Sequence, residues 1–498
     1  MGTVRVPVPE PNRLAHGRKS CEPSAGCDSS GKGRRFPPPI QCDEPPGFAR
    51  ARVFPSHVPV TGGAGCVPGG GFDIASRLAL TPRPRLVVLL RRLTVYSAAE
   101  LILLVLIAVQ TARLIWTLVT PLGPVGDWRA DGGLEPAVRH ALQVGWGLGS
   151  YRYARFRSAG RAPARLLLDA PDAETADVLA ACVRTRDLVN APTEQLGPEQ
   201  MHEVVEGIAR EHGARFEAIV GDELLARGFP AIHAVGRASH RAPRLLQLQW
   251  GEPSHPHVAI VGKGVCFDTG GLDIKGADGM RNMKKDMGGS AHAIALAELV
   301  MARKLPLRVT LLVPAVENAI GPLSYRPGEV VATRKGVNVE IDNTDAEGRM
   351  VLCDALTYAG EMSPALLLDF ATLTGAARIA LGPELPALYA NDEGVAAGWL
   401  DAGMQVRDPL WRMPLWRPYL RYLTSNVADI ANSGPSKMGG SIAAALYLER
   451  FVPEDLPWAH LDVYAWNDSD RPGRPAGGEA QGLRAAYAML ASRFGSKA

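Results

Sequence analysis

His257-Val258-Ala259-Ile260-Val261-Gly262-Lys263-Gly264-Val265-Cys266-Phe267-Asp268-Thr269-Gly270-Gly271-Leu272-Asp273-Ile274-Lys275 starts apolar and ends polar. The run His257–Val261 is short, apolar and β-branched and is broken by glycine, which reads as a buried strand. Lys263 then falls at the carboxyl end of that strand, with Asp268 and Lys275 following on a glycine-rich loop. Downstream comes Met283-Lys284-Lys285-Asp286-Met287-Gly288-Gly289. The segment from Gly289 to Lys304 repeats Ala291, Ala295, Leu299 and Ala293, Leu296, Val300 at helical spacing, so Asp286 stands just before a helix N-terminus. Val309–Val313 and Leu366–Phe370 repeat the strand pattern. The alternation predicts an α/β fold whose catalytic part is a mixed or parallel sheet flanked by helices. Open sheets of this kind place ligands outside the carboxyl ends of their strands.

A second stretch concentrates charge further. Asn343-Thr344-Asp345-Ala346-Glu347-Gly348-Arg349 places two carboxylates and a guanidinium within five positions. If the segment is extended, Asp345 and Glu347 leave the same face. Gly348 then allows a tight turn, and Arg349 reaches the same space. Two carboxylates so close repel each other, so a cation is expected between them. Taken with Lys263, Asp268, Lys275 and Asp286, the pattern reads as a two-metal hydrolase site. One carboxylate can bridge two divalent ions, which activate a water and polarise a carbonyl. Lysine can join such a site, because a nearby dication and burial favour its neutral form. A donor set rich in oxygen, without His or Cys, fits Zn, Mn or Mg without choosing among them.

The segments VGKGVCFDTGGLDIK, MKKDMGG, NTDAEGRMVLCDAL and DFATLTGAARIALG resemble signatures of the leucyl (cytosol) aminopeptidases, a family of dinuclear metallo-exopeptidases. The resemblance extends to RDLVNAP from Arg186, YRPGE from Tyr325, ADIAN from Ala428 and WAHLD from Trp458. It covers about two-thirds of the chain, from about Asp177 to the C-terminus. It implies metal ligands at Lys263, Asp268, Asp286, Asp345 and Glu347, with Asp268 and Glu347 touching both metals. Lys263 and Asp286 would complete the tighter site, and Asp345 the more exchangeable one. Lys275 matches the lysine that steadies the oxyanion, a term typically among the largest in catalysis. Arg349 matches the arginine that holds a bicarbonate, which relays a proton. Thr372 and the Leu373 carbonyl would line the substrate site, and Met283 the pocket for the first side chain. The resemblance further implies release of N-terminal residues, preferably apolar ones such as Leu, with Mn²⁺ or Zn²⁺. It also implies a cytoplasmic homo-hexamer acting on peptides.

Several of these residues also have structural readings. Thr372-Leu373-Thr374-Gly375 is ordinary strand-to-helix turn chemistry, and Met283 is equally a packing residue. Cys266 and Cys353 read as small buried hydrophobes. His460 has no second His at ligand spacing and reads as structural. Trp411, Trp416 and Trp466 are expected in the core or an interface. One departure from the family pattern follows Lys275: Gly276-Ala277 stands where Pro and a small residue are usual. The loop carrying Lys275 is therefore expected to be less preorganised.

Composition narrows the remaining classes. At 498 residues with 46% hydrophobic and 21% charged residues, the chain can bury a sizeable core. A net charge of +3, with no basic block, argues against nucleic-acid binding. That counts against the alternative of an accessory DNA-binding or other non-catalytic role on the same fold. Seven cysteines, scattered from Cys21 to Cys353 without a C-x-x-C, do not suggest a disulfide framework.

The N-terminal third differs in kind. Residues 1–60 hold 11 Pro and 6 Gly, a low-complexity composition, so 1–95 is expected to be a disordered extension. Residues 96–175 would form a divergent N-terminal region, and 176–498 the catalytic domain. Leu101 to Val119 has a single charge, Arg113, and as a helix would extend about 28 Å, close to a bilayer core of about 30 Å. Arg113 would cost about 2.5–3.5 kcal/mol at the midplane. Arg83, Arg85, Arg91 and Arg92 precede it, so insertion would put the catalytic part outside the cytoplasm. A buried core helix is the preferred reading, with membrane association as the alternative.

Overall fold

The computed structural model describes residues 127–129, 135–157, 162–168 and 172–495. The low-complexity stretch 1–95 and the apolar stretch 101–119 lie outside the described residues. Among those described, no helix is long and apolar enough to cross a membrane.

In chain order, strand β1 (Asp127–Arg129), helix α1 (Pro136–Ser150) and strand β2 (Arg165–Leu167) come first, with β1 and β2 pairing in parallel. Helices α2 (Ala173–Asn190) and α3 (Pro198–His212) follow, then β3 (Arg215–Val220), β4 (Arg244–Trp250), β5 (His257–Gly262) and β6 (Gly264–Asp268). Asp172 caps α2, its carboxylate accepting from the Glu174 and Thr175 amides. Then come α4 (Gly288–Ala302), β7 (Arg308–Asn318), β8 (Val330–Ala332), β9 (Asn338–Glu340), α5 (Glu347–Glu361), β10 (Leu366–Ala371) and α6 (Gly375–Leu381). The chain closes with β11 (Ala387–Ala390), α7 (Glu393–Gln405), β12 (Trp411–Arg412), β13 (Ile430–Ala431), α8 (Gly440–Glu449), β14 (Trp458–Asp462) and α9 (Leu483–Phe494).

The principal sheet runs β12-β11-β14-β10-β5-β7-β4-β3, with β6 also on β7. Its centre, β14-β10-β5-β7, is parallel. Strands β11, β4 and β3 are antiparallel additions toward the edges. The sheet is therefore mixed. Its central strands are apolar throughout because both faces are covered. On β5, Val258 and Ile260 join one core while Ala259 and Val261 join the other. On β10, Leu366, Leu368 and Phe370 face the first core, and Leu367 and Ala371 the second. Helix α4 fills the first side and is buried on almost every residue, as an all-round apolar helix must be. Helix α5 fills the second with Met350, Val351, Leu352, Cys353, Ala355 and Leu356.

Two readings need correction. Asp345 and Glu347 do not lie on an extended segment. Asn343 turns the chain, its Oδ1 accepting the Asp345 amide at 2.8 Å, and Glu347 opens α5. The Asn side chain closes that turn locally. Gly348 accordingly does not make the turn, but lies inside the helix. A Cβ there would stand 2.7 Å from Cε and Nζ of Lys263, so it is glycine because a lysine passes over it. Trp411 and Trp416 are 58% and 54% exposed and join no core cluster among the described residues, which leaves the interface half of their expectation open.

Candidate active site

The carboxyl ends of β5, β6, β10 and β14 bring their terminal residues to one cavity of about 430 Å³. Lys263, Asp268, Lys275, Met283, Asp286, Asp345, Glu347, Thr372 and Leu373 all line it. Nine of the ten residues singled out from the sequence thus share one space. Arg349, the tenth, lies in the first turn of α5, two residues after Glu347.

Each functional side chain is held by a specific local device. Lys263 occupies the single residue between β5 and β6. Its amide donates to the Phe370 carbonyl at 2.9 Å, and its own carbonyl accepts from the Ser290 amide at 2.8 Å. Asp268 ends β6 and accepts the Gly270 amide at 2.9 Å and the Asn318 amide group at 2.8 Å on Oδ1. Gly270 and Gly271 take positive φ values of 88° and 64°, conformations that other residues rarely adopt. Asp286 lies in a 3₁₀ turn, Met283–Met287, directly ahead of α4, and accepts the Thr372 hydroxyl at 2.8 Å on Oδ1.

Around the Asn343 turn, Asn432 accepts the Asp342 and Asn343 amides and donates to the Asn343 carbonyl at 2.7 Å. The Thr344 carbonyl accepts from the Tyr325 hydroxyl at 2.8 Å and from Asn318 at 3.0 Å. Asn318 was not singled out in the sequence; its signal was a polar residue ending the long apolar run of β7. Asp462, at the end of β14, accepts the Leu373 and Thr374 amides and the Thr374 hydroxyl, which fixes the substrate-side loop. His460 is buried against Asp369, its Nδ1 2.5 Å from Oδ1, away from the lining residues.

Charge in the cavity is dense. The Lys263 ammonium stands 2.8 Å from Asp286 Oδ2 and 2.7 Å from Glu347 Oε1, and donates to the Thr372 carbonyl at 3.0 Å. Lys275 stands 2.7 Å from Asp268 Oδ2 and also contacts Asp345 Oδ1 closely. Burial pushes all four carboxyl groups upward, and their mutual repulsion adds to it; Glu347 reaches about 7. Burial alone would lower Lys263, but Asp286, Glu347 and Asp268 override it and hold it above the ordinary lysine value. Lys285 goes the other way, pushed down by burial to about 8. Arg349 is also lowered by burial; its Nη1 donates to the Asn432 carbonyl, while its Nε is buried without a partner.

These residues fit a metal centre. Asp268, Asp286 and Glu347 can each offer an oxygen with all three within 4.8 Å of one another. Asp286 Oδ2 and Glu347 Oε1 are buried and share one cation, the Lys263 ammonium, at 2.8 and 2.7 Å. Buried carboxylate oxygens of this kind are normally satisfied by hydrogen bonds or by a cation. Asp268, Asp286, Asp345 and Glu347 outnumber the two ammonium groups that touch them, Lys263 and Lys275, a local excess of negative charge that divalent ions would offset.

Comparison with known proteins agrees with this chemistry. Residues 183–487 match the cytosol aminopeptidase family, catalytic domain. A probable cytosol aminopeptidase of Syntrophotalea carbinolica is 39% identical over 376 residues, covering 71% of this chain and 75% of that protein. The crystal structure of a cytosol aminopeptidase from Coxiella burnetii superposes with a TM-score of 0.73 at 48% identity, over 76% of this chain and 84% of the other. The bottromycin maturation enzyme BotP in complex with Mn gives a TM-score of 0.71 at 35% identity, over 76% and 87% of the two chains.

Proposed function

We infer the activity from the premise that this chain belongs to the cytosol aminopeptidase family, and is therefore a metallo-aminopeptidase, a hydrolase acting on peptides. Within that frame we propose that Lys263, Asp268, Asp286, Asp345 and Glu347 hold two divalent metal ions. The observation that carries this is the convergence of three buried carboxylates, Asp268, Asp286 and Glu347, each able to offer an oxygen within 4.8 Å of the other two. When bound, the ions supply Lewis acidity to the peptide carbonyl and acidify a water. Mn²⁺ is supported by the manganese complex of BotP; the donor set accommodates Zn²⁺ equally.

The remaining residues act on substrate and proton. Lys275 places a fixed positive charge beside Asp268 and Asp345, where it would stabilise the oxyanion that forms on the scissile carbonyl. Arg349 offers a buried donor without a partner, Nε, which a bicarbonate would satisfy while relaying the proton. Thr372, Leu373 and Met283 orient the N-terminal residue, and the apolar lining from Met283, Leu373, Ala377 and Leu385 favours side chains such as Leu. The catalytic domain is residues 176–498. We further propose a homo-hexamer, for which exposed Trp411, Trp416, Met404 and Met438 offer apolar surface for contact between copies, and a cytoplasmic location, which the names of the cytosol aminopeptidase relatives support.

Hydrolysis of leucine p-nitroanilide with added Mn²⁺ or Zn²⁺, alongside Asp345→Ala, tests the reading. Metal-dependent turnover abolished by chelator and by the substitution is expected. Failure of the metal-loaded protein on this substrate and on a panel of dipeptides would overturn it.

A further inference from the structure

Beyond the carboxylates, the same cavity holds two cations of another kind. Lys285 is only 5% exposed and lines the cavity. Its ammonium is met by the face of Tyr464, 4.8 Å from the ring centroid. The Arg378 guanidinium lies over the same ring at 4.6 Å. Among the described residues neither side chain has an ion pair or a hydrogen bond. Asp462, the other carboxylate lining the cavity, already accepts two amides and a hydroxyl.

An ammonium almost withdrawn from water without an anionic partner is unfavourable, and an aromatic face compensates only part of that. Charge balance sharpens the point. Two divalent ions would match the four carboxylates, with Lys275 still beside them, so Lys285 and Arg378 would be surplus. Surplus cations in a concave pocket raise the local concentration of anions.

We propose that Lys285 and Arg378 bind a carboxylate carried by the side chain of the substrate's first residue, so that N-terminal Glu and Asp are accepted beside apolar residues. The proposal rests on the aminopeptidase reading above. Met283, Leu373, Ala377 and Leu385 line the same cavity as Lys285, Arg378 and Tyr464, so one side chain has both an apolar wall and a cationic end available to it. The stem would pack on that wall while the carboxylate met the two cations.

The test compares glutamate, glutamine and leucine p-nitroanilides with the metal-loaded full chain. Glu and Gln have nearly the same shape and differ in charge, so their ratio of kcat/KM isolates the carboxylate. A preference for Glu over Gln of about tenfold is expected, the size of one charge-assisted contact. Lys285→Met and Arg378→Gln should each move the ratio toward one. Arg378 is exposed on a short helix, so its variant tests the idea even where Lys285→Met fails to fold. Calorimetry of L-glutamate against L-glutamine binding gives the same comparison without turnover.

A ratio at or below one, or one that neither variant moves, overturns the proposal. So does an effect confined to Leu-Gly over Leu-Gly amide, which would assign the carboxylate to the chain end. Absence of any metal-dependent leucine release would instead sink the aminopeptidase reading, and the calorimetry would then decide the pocket by itself.

Discussion

Lys263 and Lys275 sit directly on carboxylate oxygens, whereas Lys285 and Arg378, in the same cavity, sit on an aromatic ring. In the first pair charge is neutralised by the protein itself, and the cost of removing a partner falls on the fold and on whatever else the carboxylates hold. In the second pair neutralisation is left to something that arrives. Whether a cation contributes to stability or to selection therefore depends on what its charge touches, and burial alone does not decide it. Lys263 and Lys285 are 2% and 5% exposed, yet burial and neighbours shift their pKa values in opposite directions.

Four measurements would break or sharpen this contrast. The largest effect should come from a tied cation with no metal nearby. Arg186 is buried and donates to both oxygens of Glu479 at 3.0 and 3.1 Å. Arg186→Met should lower stability by about 3–5 kcal/mol, because it removes the closest cation from a buried carboxylate and leaves only Arg474, at 3.5 Å, to offset its charge, as read by denaturant unfolding. Burial would raise the Glu479 carboxyl, but Arg186 and Arg474 hold it below its ordinary value of 4.5. Its stabilising contribution is thus present above that value and lost as pH falls through the lower folded value. The gap between variant and parent should close below about pH 4.5; a gap constant down to pH 3 would contradict the charge account.

Next, Lys275→Met should reduce kcat by about 10²–10³ on leucine p-nitroanilide. Metal content measured by atomic emission separates that loss from loss of the ions, and a variant of near-parental kcat would remove Lys275 from the reaction. Gly348→Ala should then cost about 1–3 kcal/mol through overpacking against Lys263, visible as a lowered thermal midpoint. An unchanged midpoint would mean that Lys263 is free to move aside and is not gripped as described. The smallest change is a gain. Gly276 has φ −63° and no atom within 4 Å of an added Cβ, a geometry that proline accepts. Gly276→Pro should raise stability by about 0.4–1 kcal/mol; a loss would show that the loop carrying Lys275 needs its freedom.

The central strands and α4 were legible because an unbroken apolar run of five or six residues has few other places to go. The acidic and basic site residues were legible as a set, since charges recur at the polar ends of those runs. What stayed hidden depended on partners far away in sequence. The requirement for glycine at 348 comes from Lys263, and the support of Asp268 comes from Asn318. The antiparallel edge strands carry no long apolar signal, since β3 is only partly buried. The Asn343 turn was read as extended because a two-residue spacing also fits a strand. The side-chain hydrogen bond that closes it is invisible to spacing alone.

The parallel centre of the sheet has a consequence for how the protein comes into being. Strand β10 pairs on one side with β5, from Leu366 to Val258, and on the other with β14, from Leu367 to Trp458. Each pairing closes a loop of about a hundred residues before any hydrogen bond is gained, which makes such sheets slow to form. The proposed metal-ligand residues come from the ends of β5 and β6, the turn before α4, and the corner at the start of α5. They converge only once β10 is seated, because the Lys263 amide bonds to Phe370. The substrate loop waits longer still, for Asp462 at the end of β14. During synthesis, therefore, a nascent chain released as far as α5 carries every ligand residue but no assembled place for an ion. On the proposed ligand set, metal capture would be a late event that reports completion of the sheet.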